Sequence, residues 1–162
     1  MTRFLDAVID RNFYAIVESA RSNSLHRPIA IGVQALADAL QMMRVPMNTS
    51  KAHELFSDAI QHIYYGFNLE SARLAEKHGA YSSWEGSPDS QGKFQFDMWP
   101  KERKRLDSGV DWEGYRLYPG LDWESLRGKK KRNCQGIGLM PTASTSQILG
   151  NTEAFYGKQF TL

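Results

Sequence analysis

The chain has 162 residues, 41% of them hydrophobic and 23% charged. That size and balance allow one domain with a real core and exclude both a disordered chain and two ordinary domains. Its 20 basic and 18 acidic side chains leave a formal charge of +2, which argues neither for nor against nucleic acid. A single cysteine, Cys134, excludes an internal disulfide and suggests a reducing, cytoplasmic setting. The start "MTRFLDAVIDRN" does not read as a secretory leader, and no run of about 18 apolar residues predicts a membrane span.

Phe4, Leu5, Val8, Ile9, Phe13, Ile16 and Val17 recur at helical spacing, which predicts one amphipathic helix over 4–17 with that stripe in the core. Pro28 disfavours helix at Arg27, and the β-branched Ile29, Ile31 and Val33 predict a short buried strand over 28–33. Gly32 marks a bend or a close approach at its end. Val33, Leu36, Ala37, Leu40 and Met43 then repeat at helical spacing, and a strand running into a helix is the step of an α/β fold. "MNTS" at 47–50 offers capping side chains for a long helix over 51–78, with Gly66 as the place to bend and Gly79 as the stop. "WEGSPDSQG" reads as a turn-rich loop, and alternation of Phe94, Phe96 and Met98 with polar residues predicts an extended segment.

Residues 100–132 differ in character. Two basic clusters (Lys101, Arg103, Lys104, Arg105 and Lys129, Lys130, Lys131, Arg132) flank the aromatic residues Trp112, Tyr115, Tyr118 and Trp123. Such a set can grip phosphates and stack bases. Six acids between the clusters dilute the field, so a solvated surface insertion is the favoured reading and nucleic acid is not an expected partner. Asp111-Trp112-Glu113 recurs as Asp122-Trp123-Glu124, but two copies of a tripeptide do not make a repeat protein. A short apolar strand, Ile137–Met140, comes next, and then a helix from about Ser144 that Gly150 can end.

Metal binding is disfavoured. His26, His53, His62 and His78 lack ligand spacing, and one cysteine cannot build a structural zinc site. Cys134 beside Arg132 could be a reactive thiol, but a lone cysteine before an apolar strand is more often a core filler. The stretch "MPTASTSQILGN" at 140–151 is different, with four hydroxyls in five residues at a strand-to-helix turn. A helix N-terminus has unpaired N–H groups and partial positive charge, and α/β folds hold phosphates at the carboxyl ends of strands. There is no Walker lysine. By physics alone, a hydroxyl-rich cap and an anion cradle fit this stretch equally well.

The same stretch closely resembles the substrate-phosphate loop of the large, catalytic subunit of class I ribonucleotide reductase. Further blocks match in the same order: "VIDRNFY" (8–14), "HRPI" (26–29), "IGVQ" (31–34), "LADA" (36–39), "IYY" (63–65), "AEKHG" (75–79), "EGSP" (85–88), "QFDMW" (95–99), and "DWESL" (122–126) before "RN" (132–133). The resemblance covers almost all of residues 5–153. It implies part of a ten-stranded α/β barrel, here helix-rich with a few short strands, as a single fragment with a basic and aromatic surface insertion at 100–132 and a divergent tail at 154–162. It also implies that Pro141, Thr142, Ala143, Ser144 and Thr145 hold the diphosphate of a ribonucleoside diphosphate. The family's chemistry runs on cysteines, a radical-generating small subunit and a dithiol reductant. None of its radical or redox cysteines matches a position here, and Cys134 corresponds to none of them.

The chain is therefore expected to carry no catalytic residue and no cofactor, and to depend on other pieces of a reductase large subunit and on the small subunit. The other reading is a non-enzymatic remnant or binding module for nucleotide diphosphates or reductase subunits. Some positions depart from the family pattern. Ala30 and Ala35 stand where it usually has glycine, Ala15 where it usually has proline, and "CQGIGL" (134–139) replaces a more apolar run.

Overall fold

One long helix organises the chain. A computed structural model describes residues 1–98 and 117–153. In it, α4 (Ser50–His78) follows α1 (Thr2–Arg11), α2 (Val17–His26) and α3 (Leu36–Met42), and α5 (Ala143–Leu149) comes last. Thr49 caps α4 by accepting the Ala52 N–H at 3.3 Å, and Gly79 stops it at φ +84°. Two hydrophobic clusters share this helix. Ile9, Ile29 and Phe67 form the first, with Leu5, Ile31 and Tyr64 against it. The second is Phe94, Trp123 and Leu126, with Tyr64, Tyr65, Leu69, Phe96 and Leu121 around it. Burying each large side chain in such a cluster stabilises by roughly 1.5–3 kcal/mol.

The described residues are helix-rich, as expected, but do not show the expected segment of an α/β barrel. Among the described residues the chain is helical with a single parallel bridge, Ile31 to Ile137. Around it, segments 29–33 and 134–139 run side by side. The N–H of Ile31 donates to the Gly136 carbonyl at 2.8 Å, and that of Gly138 to the Ile31 carbonyl at 3.3 Å. Ile29 N–H also reaches the Gln135 carbonyl, at 3.1 Å, so adjacent carbonyls on one segment serve this edge and the ladder is irregular there. Both predicted strands are thus extended and neighbouring, but not regular strands. Gly32 fulfils its expectation: a Cβ there would lie 2.9 Å from the Gly138 carbonyl oxygen. A Cβ on Gly138 would meet that of Ala30 at 2.9 Å.

Two expected elements are different. The single helix over 4–17 is broken into α1 and α2, because the Tyr14 hydroxyl donates to the Ile9 carbonyl at 2.8 Å and takes the acceptor a continuing helix would use. Nor is most of the apolar stripe the core face, for only Ile9 of it is buried and Leu5 packs against the core. Phe4, Val8, Phe13, Ile16 and Val17 are exposed, and α1 instead buries Thr2, Asp6 and Ile9. The second difference is at 93–98, read from alternation as extended. Gln95–Met98 is a turn of 3-10 helix, since the Asp97 carboxylate accepts the Phe94 N–H at 2.8 Å and the Arg127 guanidinium at 2.7 Å.

Asp6 is buried because it belongs to a polar cluster that ties distant parts of the chain together. Arg27 sits in the left-handed region (φ 48°) just after α2, with its side chain 6% exposed. Its Nε donates to Asp6 Oδ1 at 2.9 Å, and its two Nη atoms grip the Asp10 carboxylate at 2.7 and 2.8 Å. Asn133, fully buried, donates to the same Asp6 oxygen at 2.8 Å and accepts from the Ser71 hydroxyl of α4 at 3.0 Å. Arg132 donates to the carbonyls of His78 and Gly79, closing the C-terminus of α4. Four parts of the chain therefore meet at one carboxylate and its neighbours.

Replacing Arg27 with Met would take from the buried Asp6 its hydrogen-bonded guanidinium and leave only Arg132 Nε, 3.7 Å from Oδ2. Loss of one partner of a buried pair costs about 3–5 kcal/mol. The unfolding free energy of Arg27→Met, read from urea denaturation, should fall by about that much, whereas Arg21→Met, at an exposed position, should change it little; equal losses would contradict the buried role. The acid limb follows from the same pairs. The Arg27 guanidinium holds the Asp10 carboxyl below its ordinary value, and Arg3 does the same for Glu70. Groups depressed in the folded chain stabilise it above their unfolded value and lose that contribution as pH falls through the folded one. Thermal midpoints should therefore hold from neutrality to about pH 5 and drop below about pH 4. A midpoint that rises on acidification would refute this.

Candidate functional site

The hydroxyl-rich stretch stands at the carboxyl ends of both extended segments. Segment 29–33 leads into α3 and segment 134–139 into α5, so two helices start from neighbouring ends of parallel segments. That is where α/β folds present ligands. Helix α5 begins at Ala143, one residue earlier than the sequence predicts, and ends where Gly150 takes φ +69°. Thr142 occupies the N-cap position, its carbonyl accepting the Ser146 N–H at 2.8 Å. The N–H groups of Ala143, Ser144 and Thr145 precede that first intrahelical bond, so the helix leaves them without an internal acceptor.

The five residues singled out from the sequence lie together on this turn. Pro141, Ala143, Ser144 and Thr145 are exposed and Thr142 is half-buried. Ser146, the fourth hydroxyl of the run, is instead buried and donates to the Ala143 carbonyl at 3.0 Å. The Thr145 hydroxyl lies 3.0 Å from Gln34 Oε1 and 3.1 Å from the Thr142 carbonyl. Its single proton serves one of them at a time.

Residues outside the hydroxyl-rich stretch hold the turn in place. Gln34 is one. Another is Asp38 of α3, whose carboxylate accepts the Thr152 N–H at 2.6 Å, while the Thr152 carbonyl accepts the Ala35 N–H at 3.0 Å. The segment after α5 is thereby clipped to the start of α3. The signal for both residues was present in the matched blocks "IGVQ" and "LADA".

Other candidates fare differently. The thiol of Cys134 is at the surface, yet partial burial pushes its pKa up, which lowers its thiolate fraction at neutral pH. Among the described residues, no three His, Cys, Asp or Glu side chains gather in a way that could hold a metal ion. No helix among them is long and apolar enough to cross a membrane. Of the two basic clusters, Lys101–Arg105 lies outside the described residues, as do Trp112 and Tyr115.

Half of the second cluster, Lys131 and Arg132, is committed inside the fold while Lys129 and Lys130 are exposed, and parts of the stretch read as a surface insertion are also inside. Lys131 is buried, paired with Asp89 and 4.8 Å from the Phe94 ring; burial pushes its amine pKa down. Arg132 serves α4, and Trp123 and Leu126 are core residues. Tyr118 packs edge-on against His62.

The family model for the ribonucleotide reductase barrel domain matches residues 1–158. The ribonucleoside-diphosphate reductase large subunit of Plasmodium falciparum is 43% identical over 156 residues, covering 96% of this chain and 18% of that protein. Large chain 2 of Saccharomyces cerevisiae is 43% identical over 155 residues, covering 96% and 17%. The large subunit of Trypanosoma brucei brucei is 44% identical over 161 residues, covering 94% and 19%. The chain belongs to the ribonucleotide reductase large-subunit family and spans less than a fifth of the length of these relatives.

Ala35 tests how the site tolerates its departures from the family pattern. It stands at the N-cap of α3 with φ +65°, a conformation glycine adopts without cost. Alanine there costs about 1–2 kcal/mol, and glycine gives back about 0.4–1 kcal/mol through greater freedom of the unfolded chain. Ala35→Gly should therefore stabilise by about 0.5–1 kcal/mol. A lower unfolding midpoint for this variant would contradict the backbone argument.

Proposed function

We propose that this chain is a portion of the barrel of a ribonucleoside-diphosphate reductase large subunit, and that its contribution is to hold the diphosphate of the substrate. In this reading Pro141, Thr142, Ala143, Ser144 and Thr145 form the cradle. Three N–H groups at the start of α5 supply donors, and the hydroxyls of Ser144 and Thr145 add to them. The observation that carries the reading is the position of this turn: exposed, at the carboxyl ends of two parallel segments, in a chain that matches large subunits along nearly its whole length.

Chemistry on the ribose is assigned to residues outside this chain. Reduction needs a radical-bearing thiol and a redox pair, and the one thiol present has its pKa raised rather than lowered. In an assembled enzyme the diphosphate would anchor one end of the substrate. That leaves the ribose to be placed by the remaining barrel and the radical to be supplied by a small subunit. Anchoring a remote group is a recognised way to position a reacting centre. Gln34 has a part here too: it can hold the Thr145 hydroxyl until a phosphate oxygen offers a stronger acceptor.

The loop is tested by Thr142→Ala, Ser144→Ala and Thr145→Ala together, with calorimetry of a ribonucleoside diphosphate on the complex with reductase partner chains. Each hydrogen bond to a charged group contributes about 1.5–3 kcal/mol, so the triple variant should bind at least about tenfold more weakly. Unchanged affinity would remove the assignment. The division of labour has its own check. The isolated chain should reduce no ribonucleoside diphosphate in the presence of dithiol, and turnover by the chain alone would end this reading.

A further inference from the structure

We propose that the cavity between α4 and segments 81–98 and 134–139 is a binding site for an aromatic aldehyde that carries a hydroxyl, and that the aldehyde condenses there with the buried amine of Lys131. The site stands apart from the proposed diphosphate cradle, since none of residues 141–145 lines this cavity.

The amine of Lys131 differs from those of the other lysines. Among the described residues Lys51, Lys77, Lys93, Lys129 and Lys130 are exposed, and Lys131 alone is buried. Its side chain is 4% exposed and paired with the Asp89 carboxylate, and its Nζ lies 4.8 Å from the centre of the Phe94 ring. Burial outweighs the attraction of Asp89 and pushes the amine pKa down, so more of it is unprotonated at neutral pH than of a surface lysine. A desolvated, unprotonated lysine is the form that attacks a carbonyl carbon.

The cavity around this amine sets the class of ligand. It holds about 890 Å³, ample for a small aromatic molecule, and Lys131, Asp89 and Asn68 line it beside Tyr64, Phe67 and Phe96. Such walls suit a ring, which packs on their faces and edges. An aldehyde is neutral, so it enters without bringing a charge out of water. Asn68 adds one polar demand. It is fully buried, its Nδ2 donates to the Tyr64 carbonyl at 2.7 Å, and its Oδ1 has no partner among the described residues. A hydroxyl on the ring gives that oxygen the donor it lacks.

The step balances without an oxidant or a reductant. The Lys131 ammonium passes a proton to Asp89, and the amine lone pair then forms a C–N bond to the aldehyde carbon. The carbonyl oxygen takes a proton from that nitrogen and becomes the hydroxyl of a carbinolamine. Asp89 returns its proton to this hydroxyl, which leaves as water while a C=N bond forms. The protonated imine then faces the Asp89 carboxylate as the ammonium did, so the ion pair is kept.

The probes are benzaldehyde and its meta- and para-hydroxy derivatives, each added to the full 162-residue chain with sodium cyanoborohydride, which fixes the imine as a secondary amine. Peptide mass spectrometry reads the position. Lys131 should be labelled at least about tenfold faster than any other lysine, and its rate alone should saturate as aldehyde is raised, because binding precedes reaction. At least one hydroxy derivative should half-saturate at a concentration at least about threefold below that of benzaldehyde, the effect of one neutral hydrogen bond, and Asn68→Leu should remove that gain. Lys131→Arg should lose the fast label. Should either variant fail to fold, the rates measured on the unaltered chain decide. Faster labelling of exposed lysines, a rate at Lys131 that rises linearly with aldehyde, or no gain from either hydroxyl would overturn the proposal. Failure of diphosphate binding would strike the functional reading and leave this site standing.

Discussion

The Asp6 carboxylate is where the structure is joined. It accepts from Arg27 and from Asn133, and Asn133 in turn is held by Ser71 of the long helix. These residues are far apart in the chain, and apolar packing alone would not fix their register. Burying a carboxylate and a guanidinium carries a large desolvation cost, repaid only when the geometry is good and the remaining hydrogen-bond positions are filled. Here they are. Arg27 is bonded through Nε and both Nη atoms, and both Asn133 Nδ2 and Oδ1 are engaged. A half-made network would be worse than none, so the cluster holds α1, the end of α2, α4 and the 131–134 turn in one arrangement.

That arrangement places the candidate site. Segment 29–33 leaves directly from Arg27 and segment 134–139 directly from Asn133. Fixing those two residues against one carboxylate starts the two segments side by side and in the same direction. Small residues then let them approach closely, with Gly32 against Gly138 and Gly138 against Ala30. Both segments end together, and the turn into α5 is clipped to α3 through Gln34, Ala35 and Asp38. The diphosphate cradle we propose is thus positioned by buried polar contacts at the opposite end of the segments and by a local clip at its own end.

Much of this was legible in the sequence, though often for a different reason than the pattern suggested. The long helix followed from periodicity and its caps, and α5 from a hydroxyl-rich start and a glycine stop. The face of α1 was misread because the position that matters most is an aspartate. A hydrophobic stripe cannot announce a buried charge, and the apolar residues of that stripe largely face outward. At 93–98, alternation suggested an extended segment. One carboxylate, Asp97, was enough to curl it, and that depends on Arg127, thirty residues away. Asp10, Arg27 and Asn133 all fell within blocks that resemble the reductase family. Their contacts show that these three positions serve the architecture. Gln34 and Asp38 were in such blocks as well, and only their contacts revealed that they support the turn.

The most direct test of this account is a double-mutant cycle between Asp6 and Asn133, read by urea unfolding of Asp6→Ala, Asn133→Ala and the pair. If a shared network joins α1 to the 131–134 turn, the two losses will fail to add, with a coupling of at least about 1 kcal/mol. Additivity within about 0.5 kcal/mol would show that the two residues stabilise the chain independently, and would contradict the claim that the fold hangs on their meeting.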